Sequence, residues 1–402
     1  MQKKLLGLAV ASVLAAPGLA LAQSSVEVYG TINMSLNRFK YDGGTAPSVS
    51  KYDIANHASN YGLRGRESLG GGLTAWFQIE QNAPLERSNN VAITPASRNS
   101  AVGIQGAFGN VFIGQWTTPW ADLDALWSVG TAGGWGPVTS IIGRRETTGT
   151  APNPNCVNGH LSGAPGAAGV ICDAVEAGGG VGHPFWRRIS QAVFYQSPVF
   201  GGAQAKFAYQ TNEGKAVGIT TAADPSMWSA SIQWAGMGGR ARIGFAYDNH
   251  ADFTTAGEDD TGWAIKGGYN LGVVNLGAAY ERNEYGLVGG ECKATQWGLA
   301  ASVPVGAGSV KASYAKAKAL EGPACTTGNA GAAKTWNVGY EHRFSKRTSV
   351  AVGIAEVDND DGSASPAAFT WTGVPPNSGG AANGPAAGQD VNTIFVNVTH
   401  RF

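Results

Sequence analysis

Few side chains in this chain have the types and spacing to do chemistry, and most of those fail on inspection. Cys156, Cys172, Cys292 and Cys325 form an even set, all expected in long connections between strands: Cys156 and Cys172 in the third external one, Cys292 in the sixth and Cys325 in the seventh. In an exported chain that reads as two disulfides. Of the three possible pairings, Cys156–Cys172 and Cys292–Cys325 are the simplest. Their spacing matches no zinc pattern, and His57, His160, His183, His250, His342 and His400 do not cluster with them. His342 and Glu341 are strand neighbours and so point to opposite faces, which prevents a direct pair. His250 with Asp252 has no Gly-x-Ser-x-Gly elbow to serve. The acidic run Asp358-Asn359-Asp360-Asp361-Gly362 begins like a calcium loop but lacks the distal glutamate, and Glu258-Asp259-Asp260 is a solvated patch. No enzyme, cofactor or metal is expected. What remains is fixed charge on strand faces. Arg64 and Arg66 share one face, away from Leu63, Gly65 and Leu69; Arg188 shares a face with Ser190 and Gln196, opposite Ile189, Val193 and Tyr195. Such rows set an electric field.

The elements that must carry them are strands. Residues 391–402 alternate: Ile394, Val396, Val398, His400 and Phe402 share one face, and Thr393, Phe395, Asn397, Thr399 and Arg401 the other. A chain that stops on an exposed aromatic suits a strand whose end sits at a membrane–water interface. At the other terminus, Lys3 and Lys4, the apolar run from Leu5 to Leu14 and Ala20-Leu21-Ala22 read as a secretory signal, residues 1–22. Removing the two lysines changes a balance of 28 basic against 28 acidic residues to 26 against 28, which excludes a nucleic-acid partner as the electrostatic default. No other apolar run is long enough for a membrane helix, so an exported, membrane-bound chain would have to cross as a closed barrel.

Composition agrees. Glycine, at 59 of 402, is about twice its usual share and charged residues are only 14 %. Yet the glycines and aromatics lie inside alternating segments, unlike a disordered chain. Sixteen such runs of roughly ten residues follow one another, from 26–38, 59–69 and 72–82 to 335–344, 347–357 and 391–402. Short turns alternate with long connections at 39–58, 119–187, 320–334 and 358–390. One domain is expected over 23–402: an all-β, sixteen-stranded antiparallel transmembrane barrel with both termini on the short-turn side. Arginines facing lipid would cost about 2–4 kcal/mol near the midplane, so Arg64, Arg66 and Arg188 belong inside.

Several pieces resemble the general porins of Gram-negative bacteria, of the beta-proteobacterial branch. They are Val26-Glu27-Val28-Tyr29-Gly30, Asn60 through Leu73 over a hairpin, Arg98 through Gly114, Gln191 through Pro198, and the terminal Phe402. The resemblance spans essentially the whole chain after the signal. It implies an outer-membrane homotrimer of sixteen-stranded barrels, each a water-filled channel for passive diffusion of small hydrophilic solutes and ions. The third external loop, here 119–187, would fold inward and narrow the lumen. The resemblance puts Asp122 and Asp124 at that narrowing and adds Arg98 to the facing wall of Arg64, Arg66 and Arg188. Their positive surplus predicts weak anion selectivity. Trp120 and Trp127 are candidates for contact with planar solutes, which would make a solute-specific channel the alternative; long external loops acting as adhesin or receptor are another. The implied partners are outer-membrane lipid and lipopolysaccharide, and the barrel-assembly machinery through Phe402.

Overall fold

The computed structural model describes residues 25–44, 47–86, 95–142, 156–157, 160–161, 185–211, 226–253, 257–287, 289–323, 325, 332–360 and 388–402. The signal call at 1–22 falls outside them. The strands run in order β1 (Ser25–Gly43), β2 (Val49–Asn56), β3 (Asn60–Gly70), β4 (Leu73–Asn82), β5 (Ser100–Gly106) and β6 (Gly109–Thr117). A minor hairpin follows, β7 (Cys156–Val157) with β8 (His160–Leu161). The wall then resumes with β9 (Arg188–Gln196), β10 (Ala203–Gln210), β11 (Ser226–Gly236), β12 (Ala241–Ala251), β13 (Asp259–Asn270) and β14 (Asn275–Leu287). It ends with β15 (Gly290–Val305), β16 (Gly308–Ala317), β17 (Ala333–Arg343), β18 (Thr348–Asn359) and β19 (Gln389–Arg401).

All but the minor hairpin belong to one antiparallel sheet, which closes where β1 pairs β19 from Thr31↔Arg401 to Gly43↔Gln389. β2 and β3 both pair β1, so they are two halves of one barrel strand and the closed wall has sixteen. Between Met34↔Asn56 and Thr31↔Asn60 three residues face two, a bulge in which Ala58 has φ +55°. The ladder does not open there. Ser59 Oγ accepts from Asn33 N at 2.8 Å, and His57 N donates to Asn33 O at 2.8 Å. In a bilayer, where water cannot serve, such substitution keeps the backbone satisfied.

Polarity is inverted relative to a soluble domain. Ile243, Phe245, Ile265, Leu299 and Ile394 are exposed, while Lys266, Glu281, Gln296 and Asp248 are buried inside. Aromatics Tyr209, Trp228, Tyr247, Trp263, Tyr280, Trp297, Tyr314 and Trp336 recur one per strand on the outward face of β10–β17, and Trp228–Tyr247, Trp263–Tyr280 and Trp297–Tyr314 lie 5.3–5.4 Å apart. That is an interfacial girdle.

Two loop boundaries differ from the sequence reading. The connection expected at 39–58 shrinks to 44–48, because alternation continues outward through Phe39 and Tyr41 and returns through Tyr52 and Ile54. The sixth external connection is only 288–289, since β14 and β15 run on as a long hairpin. Cys292 therefore lies in a strand and not in a loop; it is bonded to Cys325 of the seventh loop, with Cα atoms 4.9 Å apart. The Cys156–Cys172 pairing falls outside the described residues.

The terminal residue is seated, not frayed. Phe402 N donates to Gly30 O at 3.1 Å and Gly30 N to Phe402 O at 3.2 Å. The Phe402 ring occupies the space of the Cβ that Gly30 lacks; a Cβ there would stand 2.5 Å from Cζ. Gly30→Val is expected to lose about 1–3 kcal/mol by overpacking. Its heat-modifiable, folded fraction on gels should fall, as should that of Phe402→Ala. Wild-type folding of Gly30→Val would refute this packing.

Candidate functional site

The third loop leaves β6 at Thr117 and turns inward at once. Thr118 caps helix α1 (Pro119–Asp122) by accepting from Ala121 N, and Pro119 presets its first turn. Helix α2 (Asp124–Trp127) follows directly. These two short helices hold the acidic pair against the wall. Asp122 Oδ2 meets Lys206 Nζ at 2.7 Å, and its Oδ1 takes the Thr117 hydroxyl at 3.2 Å. Asp124 Oδ1 meets Lys266 Nζ at 2.6 Å and accepts from Trp127 Nε1 at 3.1 Å. Lys266 is fully buried and also reaches Glu281 Oε1 at 2.6 Å.

Beyond the helices the loop lies on a track of small residues along the inner wall. A Cβ on Gly244 would strike Leu123 and Leu126, one on Gly277 the Trp127 carbonyl at 1.9 Å, and one on Gly298 the Trp127 ring at 2.9 Å. Arg242 Nε donates to Leu126 O at 2.8 Å. Ile141, Ile142 and Trp127 then pack on Ala279, Ala300, Ala315, Ala317 and Ala333. At the far end Trp135 donates to Asn37 Oδ1 at 3.0 Å and meets Phe39 and His57 edge-on. Among the described residues the loop thus spans the inside from β10 to β1 and leaves the lumen open towards β1 and β3–β6.

On that side Arg64 Nε meets Glu27 at 2.9 Å and the guanidinium lies 4.7 Å over the Tyr29 ring. Arg66 is exposed and has no ion pair among the described residues. Arg98 precedes the start of β5, where strand parity no longer governs it; it turns inward to Glu80 Oε1 at 2.6 Å and Asn82 Oδ1 at 3.2 Å. Arg188 donates to Asn99 Oδ1 at 2.7 Å. Gln191, with φ +52°, breaks the alternation of β9, so Ile189 packs with Phe112 and Phe194 where the sequence had placed it on the opposite face from the lumen.

Two expectations change. Trp120 and Trp127 are both completely buried, Trp120 against Phe185 at 5.3 Å, so they fasten the loop to the wall and do not meet a passing solute. Asp124 is 7 % exposed and faces Lys266, not the open lumen. Sequence reasoning missed Lys206, Lys266 and Arg242. Their signal was present: each shares the inward parity of its strand, and the same lipid cost that placed the arginines inside applies to them.

The sequence profile of the Gram-negative porins matches residues 8–362. Outer membrane porin protein 32 of Delftia acidovorans is 27 % identical over the full length of both chains. The major outer membrane protein P.IB of Neisseria gonorrhoeae is 23 % identical over 88 % of this chain and 92 % of that protein. Among solved structures, the anion-selective porin from Comamonas acidovorans superposes with a TM-score of 0.68 at 24 % identity, over 94 % of this chain and 100 % of its own. The trimer form of OmpT of Vibrio cholerae superposes at 0.58 with 15 % identity, over 94 % and 99 %.

Removing Lys266 leaves two buried carboxylates without their cation, a loss of about 3–5 kcal/mol. Lys266→Met is therefore expected to free the loop, seen as increased open-channel noise and altered single-channel conductance. Lys206→Met, at a partly solvated pair, should change both much less. Equal, wild-type traces from both variants would show that these lysines do not hold the loop.

Proposed function

The chain belongs to the Gram-negative porin family, and from that premise we propose that the pore of this multi-pass outer-membrane channel favours anions weakly. The channel passes small hydrophilic solutes and ions by diffusion. The observation that carries the preference is an imbalance of neutralisation. The two loop carboxylates among the described residues are matched by wall lysines, Asp122 by Lys206 and Asp124 by Lys266, whereas Arg66 stands on the inward face of β3 without a counter-charge among the described residues. Arg64, although paired with Glu27, keeps half of its side chain exposed. A permeating ion therefore meets surplus positive charge on the β3 wall, in a gap narrowed from the other side by the loop. Arg98 and Arg188 contribute less, since Glu80 and Asn99 engage them. The solved relative from Comamonas is itself described as anion-selective.

The same reading includes a homotrimer. The outward aromatic series stops after β17; β18, β19, β1 and β2 carry Ile354, Ile394, Leu36 and Ile54 instead. Beside them, β4–β6 and β9 form an outward groove of about 740 Å³ that includes Ile79, Val102, Ile113 and Val193. The flank of β18, β19, β1 and β2, whose four strands carry Tyr52 as their one outward aromatic, suits contact with protein more than with lipid headgroups. The relative from Vibrio has a trimer form. Phe402, exposed beside Gly30 on the outer face of the last strand, is the element offered to the barrel-assembly machinery.

In a planar bilayer under a potassium chloride gradient, the reversal potential is expected to favour chloride modestly, with conductance arriving in groups of three. Arg66→Glu should move it towards potassium. Potassium preference in the unaltered protein would overturn the proposal.

A further inference from the structure

The inward positions of β4 and β5 include Gln78, Glu80, Asn82 and Gln105, the polar lining that a water-filled lumen calls for. An aromatic patch interrupts it. Phe112 on β6 and Phe194 on β9 are direct cross-strand partners, stacked 4.8 Å apart and each 2 % exposed. Trp76 of β4 and Trp116 of β6 cover Phe112, each 5.3 Å from its ring, and stand edge to face with one another at 5.8 Å. Both indoles stay partly exposed, so the patch offers aromatic surface to the lumen. Trp76 is also fixed in position. Its partner on β5 is Gly103, where a Cβ would stand 2.8 Å from both Cε2 and Nε1 of the indole. The missing side chain lets the ring cross β5, and Nε1 donates to Asn110 Oδ1 on β6 at 2.8 Å. A ring already held in place loses little freedom when another stacks on it.

Charge stands beside this patch. Arg66 of β3 is the other cross-strand partner of Trp76, which places their Cβ atoms about 5 Å apart on the inward face. Arg66 is exposed, and the carboxylates around it are engaged elsewhere. Glu27 meets Arg64 at 2.9 Å; Glu80 meets Arg98 at 2.6 Å and accepts from the Tyr29 hydroxyl at 2.9 Å. An unanswered guanidinium therefore borders a fixed indole, on the wall that the described part of the third loop leaves open. A guanidinium grips a carboxylate through two parallel N–H donors. An indole takes a second ring in offset or edge-to-face contact. One class of solute satisfies both demands at once, a carboxylate carried on an aromatic ring.

We propose that Arg66, Trp76 and Trp116 form a lumenal subsite for aromatic carboxylates. The inference rests on the channel reading and on Arg66 facing the lumen, and it adds a solute class to that reading. An aliphatic carboxylate would use Arg66 alone, and a neutral aromatic the indoles alone. Only the combined solute uses both, so the subsite retains it longer than an ion of equal charge.

The test is planar-bilayer recording of the purified protein in potassium chloride, with benzoate, cyclohexanecarboxylate and benzamide added in turn. Cyclohexanecarboxylate keeps the charge and loses the aromatic ring; benzamide keeps the ring and loses the charge. Block is read from the concentration dependence of the current noise each induces. Benzoate is expected to bind about fivefold more tightly than cyclohexanecarboxylate, the margin of one aromatic contact. Benzamide should block less than benzoate. Trp76→Leu should erase the margin between the two carboxylates, and Arg66→Gln that between benzoate and benzamide, with heat-modifiable migration on gels showing that each variant is folded. The comparison of solutes is made first on the unaltered protein, so it decides the matter even where a variant fails to fold. Equal block by benzoate and cyclohexanecarboxylate would overturn the proposal, as would a benzoate margin that survives in folded Trp76→Leu. Either result can accompany a chloride-favouring reversal potential, and a benzoate margin can accompany a potassium-favouring one, so the subsite and the ion preference fail separately.

Discussion

The requirement that no backbone amide face hydrocarbon unpaired governs the whole molecule. It forces β19 back onto β1, so the first and last strands of the described chain become neighbours over thirteen paired positions. Even the break in the second strand obeys it, because Ser59 supplies the oxygen that the bulge removes from Asn33. Once the wall is closed, its inner surface meets water and its outer surface meets lipid. The inverted pattern of buried lysine and exposed isoleucine follows.

A closed wall of sixteen strands is too wide to select by itself, and the third loop supplies the narrowing. The loop is held by two kinds of contact. Lys266 is buried between Asp124 and Glu281, which fixes one point with high directional demand, since removal of the lysine leaves two carboxylates uncompensated. The glycine and alanine track works differently. It lets the loop backbone lie flat on the strands, with Trp127 filling the hollow over Gly277 and Gly298. Among the described residues all of this occurs on one side of the lumen, and the wall with Arg64 and Arg66 stands opposite.

The barrel was legible because alternation with period two survives wherever one face meets lipid, and Ile394 to Phe402 display it plainly. The strand count followed from the same signal. Boundaries outside the bilayer were less legible: Phe39, Tyr41, Tyr52 and Ile54 alternate, but glycine and polar residues around Gly43 and Gly44 imitate a loop. At the site, Arg64 and Arg66 could be placed by parity alone. Arg188 could not, because a positive φ at Gln191 shifts β9 without a sequence marker. The fate of Trp120 and Trp127 was hidden for another reason. Their burial depends on small residues of strands far along the chain, from Ala246 for Trp120 to Ala333 for Trp127, a pairing that local periodicity does not encode.

The far end of the loop rests on the seam itself. Trp135 bonds Asn37 on β1, Gly133 abuts Phe395 on β19, and Gly134 abuts His57 in the bulge between β2 and β3. That platform is not whole until the last strand has met the first. A barrel still open along this line offers the tip Asn37, Phe39 and His57 but not Phe395, so its seat is complete only once the seam has closed. The order of events in biogenesis is thereby written into the filter: the chain completes its sieve only as the final consequence of becoming a ring.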